Sequence, residues 1–258
     1  MKKNLLWMAG AILTCGLAFT ACAEKDLPLT LDQFTLVDYD FEKGEVADYF
    51  GLVKAESALV TPEAEGSTGR AASLVSGSDR GDYVKLDADY EGTASYTIDM
   101  DLLLQKSPKT TQFAVVAQGA WEGDGWSSWL SNWGIFWKNN TEQAHTAILF
   151  SLEYTNSNTA AMLVDIDAEG AGVNSGVEWN FENNVWYHLR IAVDVKAHTA
   201  NYVITAKSDG AEQVSGTYNV PESDSMLPKG IYERNGRYNY QPGAIAIDNV
   251  KIVANKWH

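Results

Sequence analysis

The chain has 258 residues, 34 acidic against 19 basic side chains, a formal net charge of −15, and two cysteines. So acidic a surface repels nucleic acid and excludes it as a partner, while neutral glycans, or acidic ones at a local basic patch, stay open. Two cysteines cannot build a disulfide framework, so an apolar core must carry stability; a chain this long buries roughly 70–75% of its unfolded surface.

Residues 1–21 read as a targeting segment. Lys2 and Lys3 precede a mostly apolar run from Leu5 to Phe19, which is too short and wrongly flanked to span a bilayer. It ends in Phe19-Thr20-Ala21-Cys22, which resembles the lipobox of bacterial lipoproteins. The resemblance implies cleavage before Cys22 and acylation of its thiol, hence a membrane partner held through a lipid anchor. Cys15, preceded by Thr14, fits the pattern less well, and a simple secretory leader is the alternative. The run Ala23-Glu24-Lys25-Asp26 is similar to the surface-export signal of Bacteroidota lipoproteins. That similarity implies the outer membrane and its outer face. Residues 22–33 read as a tether.

From Phe34 onward, short β signals recur. Residues 94–103 alternate, with Tyr96, Ile98, Met100 and Leu102 against Ser95, Thr97, Asp99 and Asp101. Further runs at 35–41, 72–75, 82–86, 112–117, 147–154, 160–166, 186–195, 200–206, 216–220 and 243–253 are separated by clusters of Gly, Asn and acidic residues. No long stretch keeps a 3.6-residue apolar period. Many strands without helices between them predict an all-β antiparallel two-sheet sandwich, one domain over 34–258.

Two stretches strengthen this. Residues 186–194, WYHLRIAVD, then a turn and NYVITA at 201–206, resemble a hairpin of laminin-G-like and concanavalin A-like domains. Asp40-Phe41-Glu42-Lys43-Gly44 and Ile247-Asp248-Asn249-Val250 resemble the bracket at the two ends of carbohydrate-binding jelly rolls. The resemblance implies that the first and last strands pair. It also implies a structural calcium, with Glu42 and Asp248 as ligands and Asp40 as a third candidate; calcium takes six to eight oxygens, which backbone and water can complete. The alternative is that these acids only cap turns.

Residues 118–139, QGAWEGDGWSSWLSNWGIFWKN, hold five of the nine tryptophans. Trp126, Trp129, Trp133 and Trp137 have helix-face spacing, and NWGIFW also reads as a strand. The interspersed Gly and Ser favour a loop around Trp121, Trp126 and Trp129. An indole that is apolar on its face yet able to donate a hydrogen bond suits a wet binding surface. These three are the main candidates for recognising a polysaccharide. A second patch, 229–241, sets Arg234 and Arg237 beside Tyr232, a combination suited to an acidic sugar; its plainer reading is a hairpin turning at Asn235-Gly236.

The catalytic alternative rests on Asp165-Ile166-Asp167-Ala168-Glu169. In a strand, Asp165, Asp167 and Glu169 share one face. The pattern resembles the E-x-D-x-E strand of laminarinase-type glycoside hydrolases, implying nucleophile and acid/base roles. Here the first acid is one methylene short. The Cα atoms of Asp165 and Glu169 would stand about 13 Å apart, while a retaining pair needs carboxyls about 5–5.5 Å apart. No pattern of the polysaccharide lyases built on this fold is present. The enzymatic reading ranks below binding, and a structural or adhesive surface module ranks third.

Overall fold

The computed structural model describes residues 31–51, 58–74, 83–106, 111–117, 148–154, 160–166, 172–220, 225–235 and 245–257. Fourteen strands and one helical turn follow in chain order: β1 (Leu31–Tyr39), α1 (Val46–Tyr49), β2 (Ala58–Val60), β3 (Ala71–Leu74), β4 (Tyr83–Lys85), β5 (Thr93–Leu104), β6 (Thr111–Ala117), β7 (Ile148–Tyr154), β8 (Ala160–Ile166), β9 (Gly172–Asn180), β10 (Val185–Asp194), β11 (Thr199–Ala206), β12 (Glu212–Asn219), β13 (Pro228–Asn235) and β14 (Ile245–Trp257). An eight-stranded sheet runs β12-β11-β10-β5-β14-β3-β2, with β1 also on β14; a six-stranded sheet runs β4-β13-β6-β7-β8-β9. Every strand pair is antiparallel, and the whole is a concanavalin A-like jelly-roll sandwich. Among the described residues no helix is long and apolar enough to cross a membrane.

The alternation in β5 does what its period of two dictates. Tyr96, Ile98, Met100 and Leu102 are buried between the sheets, and Ser95, Thr97 and Asp99 face out. The six-stranded sheet answers with Phe113, Val115, Phe150, Leu152 and Leu163. Phe150 on β7 spans the gap. It meets Phe113 at 6.1 Å within its own sheet and Tyr202 and Tyr218 of the other sheet at 5.1 and 6.1 Å, all edge-on. Tyr218 crosses the core as well, donating its hydroxyl to the Ser151 carbonyl at 2.6 Å.

First and last strands pair from Leu31↔Trp257 to Tyr39↔Val250, as the bracket implied. β1 begins at Leu31, inside the stretch read as a tether. Two further differences have local causes. Strand β9, GVNSGVEWN, carries Gly, Asn and Ser where β-branched residues are usual, so its pattern gave no strand. Its pairing with β8 supplies what propensity does not. Strand β13 lies between β4 and β6, so Gly230–Tyr232 has neighbours on both sides, while the turn read at Asn235-Gly236 runs outside the described residues.

Candidate functional site

The strand ends of the six-stranded sheet bring two sequence features to one edge. Ala117 pairs with Pro228, and Val116 with Ile148, so β6 ends where β7 begins. At that same end β8 finishes and β9 starts, with Ile166 opposite Gly172. Residues 118–147 and 167–171 therefore join the described fold at neighbouring strand ends. Trp121, Trp126, Trp129, Asp167 and Glu169 lie outside the described residues, as does Cys22. Asp165 sits on β8 opposite Val173.

The second patch is not brought to this edge. Arg234 and Asn235 pair with Gln112 and Thr111 at the opposite end of the sheet, and Arg237 lies outside the described residues. Tyr232 requires a correction. It is 1% exposed and stacks on Tyr83 with centroids 4.7 Å apart. It pairs with Ala114, one residue off the Ile231–Val115–Phe150 row that meets the other sheet, so its ring lies buried on the opposite face of the six-stranded sheet and presents no open face to a sugar.

The acids of the bracket flank a junction in the larger sheet. Along one edge of β14 the partner changes from β3, through Ile245–Ile247, to β1, from Val250 onward. Asp248 and Asn249 fall between, and the register with β5 slips there. Asn249 takes φ 51°, which Asn tolerates better than most residues. On the facing segment Phe41 takes φ 55°, an uncommon state for a bulky residue; its burial and the edge contact with Tyr49 at 4.8 Å hold it.

Around this junction each carboxylate has a different task. Asp40 accepts the Glu42 amide at 3.1 Å and closes its own turn. Glu42 accepts the Arg70 amide at 2.8 Å, tying the end of β1 to the start of β3. Its carboxylate passes over Gly69 so closely that a Cβ there would stand 1.6 Å from Oε1, so any side chain at 69 would push the carboxylate aside. Asp248 accepts the Asn249 amide at 2.7 Å. Burial pushes its carboxyl up to about 6, and the negative charges of Asp101 and Glu42 add to the rise. Among the described residues no three His, Cys, Asp or Glu side chains converge as a metal cage. A cation here would rest on the Glu42–Asp248 pair and on backbone and water oxygens.

Next to the junction, on the outer face, lies a charged ladder that alternation alone could not assemble. It needs the register that sets His188 opposite Asp101 and Arg190 opposite Asp99. His188 Nδ1 meets Asp101 at 3.2 Å and Nε2 meets Asp99 at 3.1 Å. Lys207 Nζ and Asn249 Nδ2 donate to the other Asp101 oxygen at 2.6 and 2.8 Å. Burial opposes the Asp101 charge, but the hydrogen bonds from His188, Lys207 and Asn249 outweigh it and lower its pKa. Trp186, also missed as a site-like residue, packs on this outer face with Ala71, Leu103 and Ala246. Its indole donates to Ser67 at 2.9 Å, and Lys207 sits 5.4 Å above the ring.

The ladder makes stability depend on pH. Hydrogen bonds donated by the imidazolium to Asp101 and Asp99 raise His188 from 6.5 to about 9, against the pull of burial. A group with a raised folded-state pKa stabilises fully below its unfolded value and loses that contribution as pH rises through the folded one. Thermal midpoints are therefore expected to fall between pH 6.5 and 9. The fall should flatten in His188→Gln; an unchanged slope would remove His188 as the cause.

No known protein family matches the sequence, and no curated protein does either. Solved structures with the same fold do exist. A protein of unknown function from Shewanella oneidensis MR-1 aligns with TM-score 0.56 at 13% identity, covering 87% of each chain. Peanut lectin with a 9mer peptide gives 0.51 at 10% identity, covering 88% of this chain and 99% of the lectin. The CBM2 module of the evolved Dit of Lactobacillus casei BL23 phage J-1 gives 0.50 at 10%, covering 88% of this chain and 97% of that one. At such identities the likeness establishes the lectin-type jelly-roll fold and nothing finer.

Proposed function

We propose that the protein is an exported, lipid-anchored module that captures polysaccharide, with Trp121, Trp126 and Trp129 as the contact residues. One observation carries the reading. The segment holding these tryptophans leaves and re-enters the six-stranded sheet at a single edge, the position where loops on a rigid scaffold form recognition surfaces. The fold shared with peanut lectin supports it at the level of architecture. The end of β8 at the same edge keeps catalysis by Asp165, Asp167 and Glu169 as the rival. The two part on products. Incubation with a panel of neutral and acidic polysaccharides is expected to leave every polymer intact while slowing the protein in gels cast with one of them. New chain ends, lost in Asp165→Asn or Glu169→Gln, would make it a hydrolase instead.

The leader and Cys22 support an anchor in the outer membrane, with the surface-export resemblance pointing to its outer face. We also infer that Glu42 and Asp248 hold a calcium ion that fastens β1 to β14, neutralising two carboxylates that otherwise repel. Asp40 is left to its turn. At a hundredfold excess over Kd, a bound ion stabilises by about 2.7 kcal/mol. For a domain of this size that is a rise in Tm of roughly 5–10 °C. Calcium should raise the midpoint and a chelator lower it, and both effects should vanish in Glu42→Gln and in Gly69→Ala, where the new methyl displaces Glu42. Equal midpoints with and without calcium would dismiss the ion.

A further inference from the structure

Among the described residues, the exposed large apolar side chains are Leu31 at 48%, Phe34 at 38% and Trp257 at 51%. All stand at one corner, where β1 starts and β14 ends. Phe34 lies opposite the buried Ala254, on the core side of the sheet. Leu31 and Trp257 are direct cross-strand partners two and four residues beyond Gln33 and Val253 on the outer face.

The register extends this corner into a surface of distinct chemistry. One row across the outer face reads Thr35, Val253, Thr97, Ala192, Asn201 and Thr217. None of the six is charged, and none is buried. The row beyond it, from Gln33 through Asn255 and Ser95, carries one charge at Asp194, whose carboxylate already caps the Ala197 amide at 2.8 Å. Asn255 donates to Ser95 and Thr217 to Asn201, so some of the polar groups on this face pair with one another. Farther from the corner the same face holds the Asp38–Lys251 pair and the Asp99–Arg190 and Asp101–His188 ladder. In a chain of net charge −15, a neutral half-face edged by an exposed Trp and Leu is where approach to a lipid surface meets least repulsion and least loss of charge hydration.

The chain itself supplies a bilayer. Cys22 precedes Leu31 by nine residues. Fully extended, such a segment reaches about 30 Å at most, so this corner stays within that distance of the acylated residue. Tethering at so short a span gives even a weak surface contact a high effective concentration. Trp favours the headgroup layer, with its ring among acyl carbons and its N–H among polar groups.

We propose that Leu31 and Trp257 insert at the headgroup level of the anchoring membrane, and that the uncharged half of the eight-stranded sheet lies against it. The six-stranded sheet then faces the medium, open to a large polymer. The proposal rests on the anchor reading, and its test separates the two. With Cys15 cleaved off and Cys22 acylated, a cysteine introduced by Leu31→Cys, Val253→Cys or Gln213→Cys is the sole free thiol. Each variant is purified in acylated form, spin-labelled, and placed in phosphatidylcholine vesicles. Collision with a water-soluble nickel chelate is expected to drop several-fold at 31 and 253 relative to 213, while collision with oxygen rises. If all three labels meet nickel equally on an acylated chain, docking is overturned and the anchor stands. If Cys22 carries no acyl chain and the protein stays out of the membrane fraction, both are overturned. Protection accompanied by dipolar broadening between labels would overturn docking in favour of a contact between two copies of the chain.

Discussion

Replacing Phe150 with alanine is expected to lower the unfolding free energy by about 3–5 kcal/mol, the usual cost of emptying a phenyl-sized site in a packed core. The position is severe because the ring touches both sheets. Phe113 flanks it in the six-stranded sheet, and Tyr202 and Tyr218 meet it from β11 and β12. A cavity there sits at the contact between layers, where three rigid aromatics on different strands cannot all collapse inward. Phe150→Leu, which refills most of the volume, should recover more than half of the loss. Urea unfolding read by tryptophan fluorescence and by far-ultraviolet circular dichroism should give a lower midpoint with coincident curves. A loss below 1 kcal/mol would mean that the sheets are not held through this ring.

The second large effect is expected at Asp101. It is 6% exposed and receives hydrogen bonds from His188, Lys207 and Asn249. Asp101→Ala removes the acceptor common to β10, β14 and the turn after β11. His188 and Lys207 are more than a third exposed and turn to water, so the cost stays near that of lost charge-assisted bonds, about 1–3 kcal/mol. The variant should also lose the larger part of the pH dependence assigned to His188, since its first acceptor is gone and Asp99 alone remains. Asp101→Asn should retain more stability than Asp101→Ala while still shedding part of that dependence. Equal stability of Asp101→Ala and wild type would show that the ladder is only a solvated face.

What was legible in the sequence follows the range of the forces involved. The period of two in β5 is a local signal, and it named Tyr96, Ile98, Met100 and Leu102 as core and Asp99 as outward. The pairing of the chain ends was carried by the Asp-Phe-Glu and Ile-Asp-Asn stretches, whose residues do flank the β3-to-β1 changeover. Register was not legible. The ladder exists because β10 meets β5 with His188 at Asp101, and a two-residue slip would pair His188 with Asp99 instead. Tyr232 was misplaced for the same reason. Its basic, Tyr-rich surroundings read as a surface patch, whereas strand order puts it between two neighbours with its ring on Tyr83. Strand β9 was lost to its Gly, Asn and Ser, residues whose strand conformation is imposed by β8. The acids proposed for calcium, Glu42 and Asp248, come from the two ends of the chain, and spacing alone does not encode whether such distant side chains converge.

Capture of a polysaccharide is tested most directly by affinity electrophoresis of the wild type beside Trp126→Ala and Trp129→Ala, in gels cast with each polymer of the panel. The wild type is expected to be retarded by at least one polymer. Each substitution should weaken that binding by 2 kcal/mol or more, about thirtyfold, as for a buried aromatic anchor. Midpoints of unfolding should stay unchanged. Retardation of the variants equal to that of the wild type, or free migration of the wild type through every gel, would contradict glycan capture by these tryptophans.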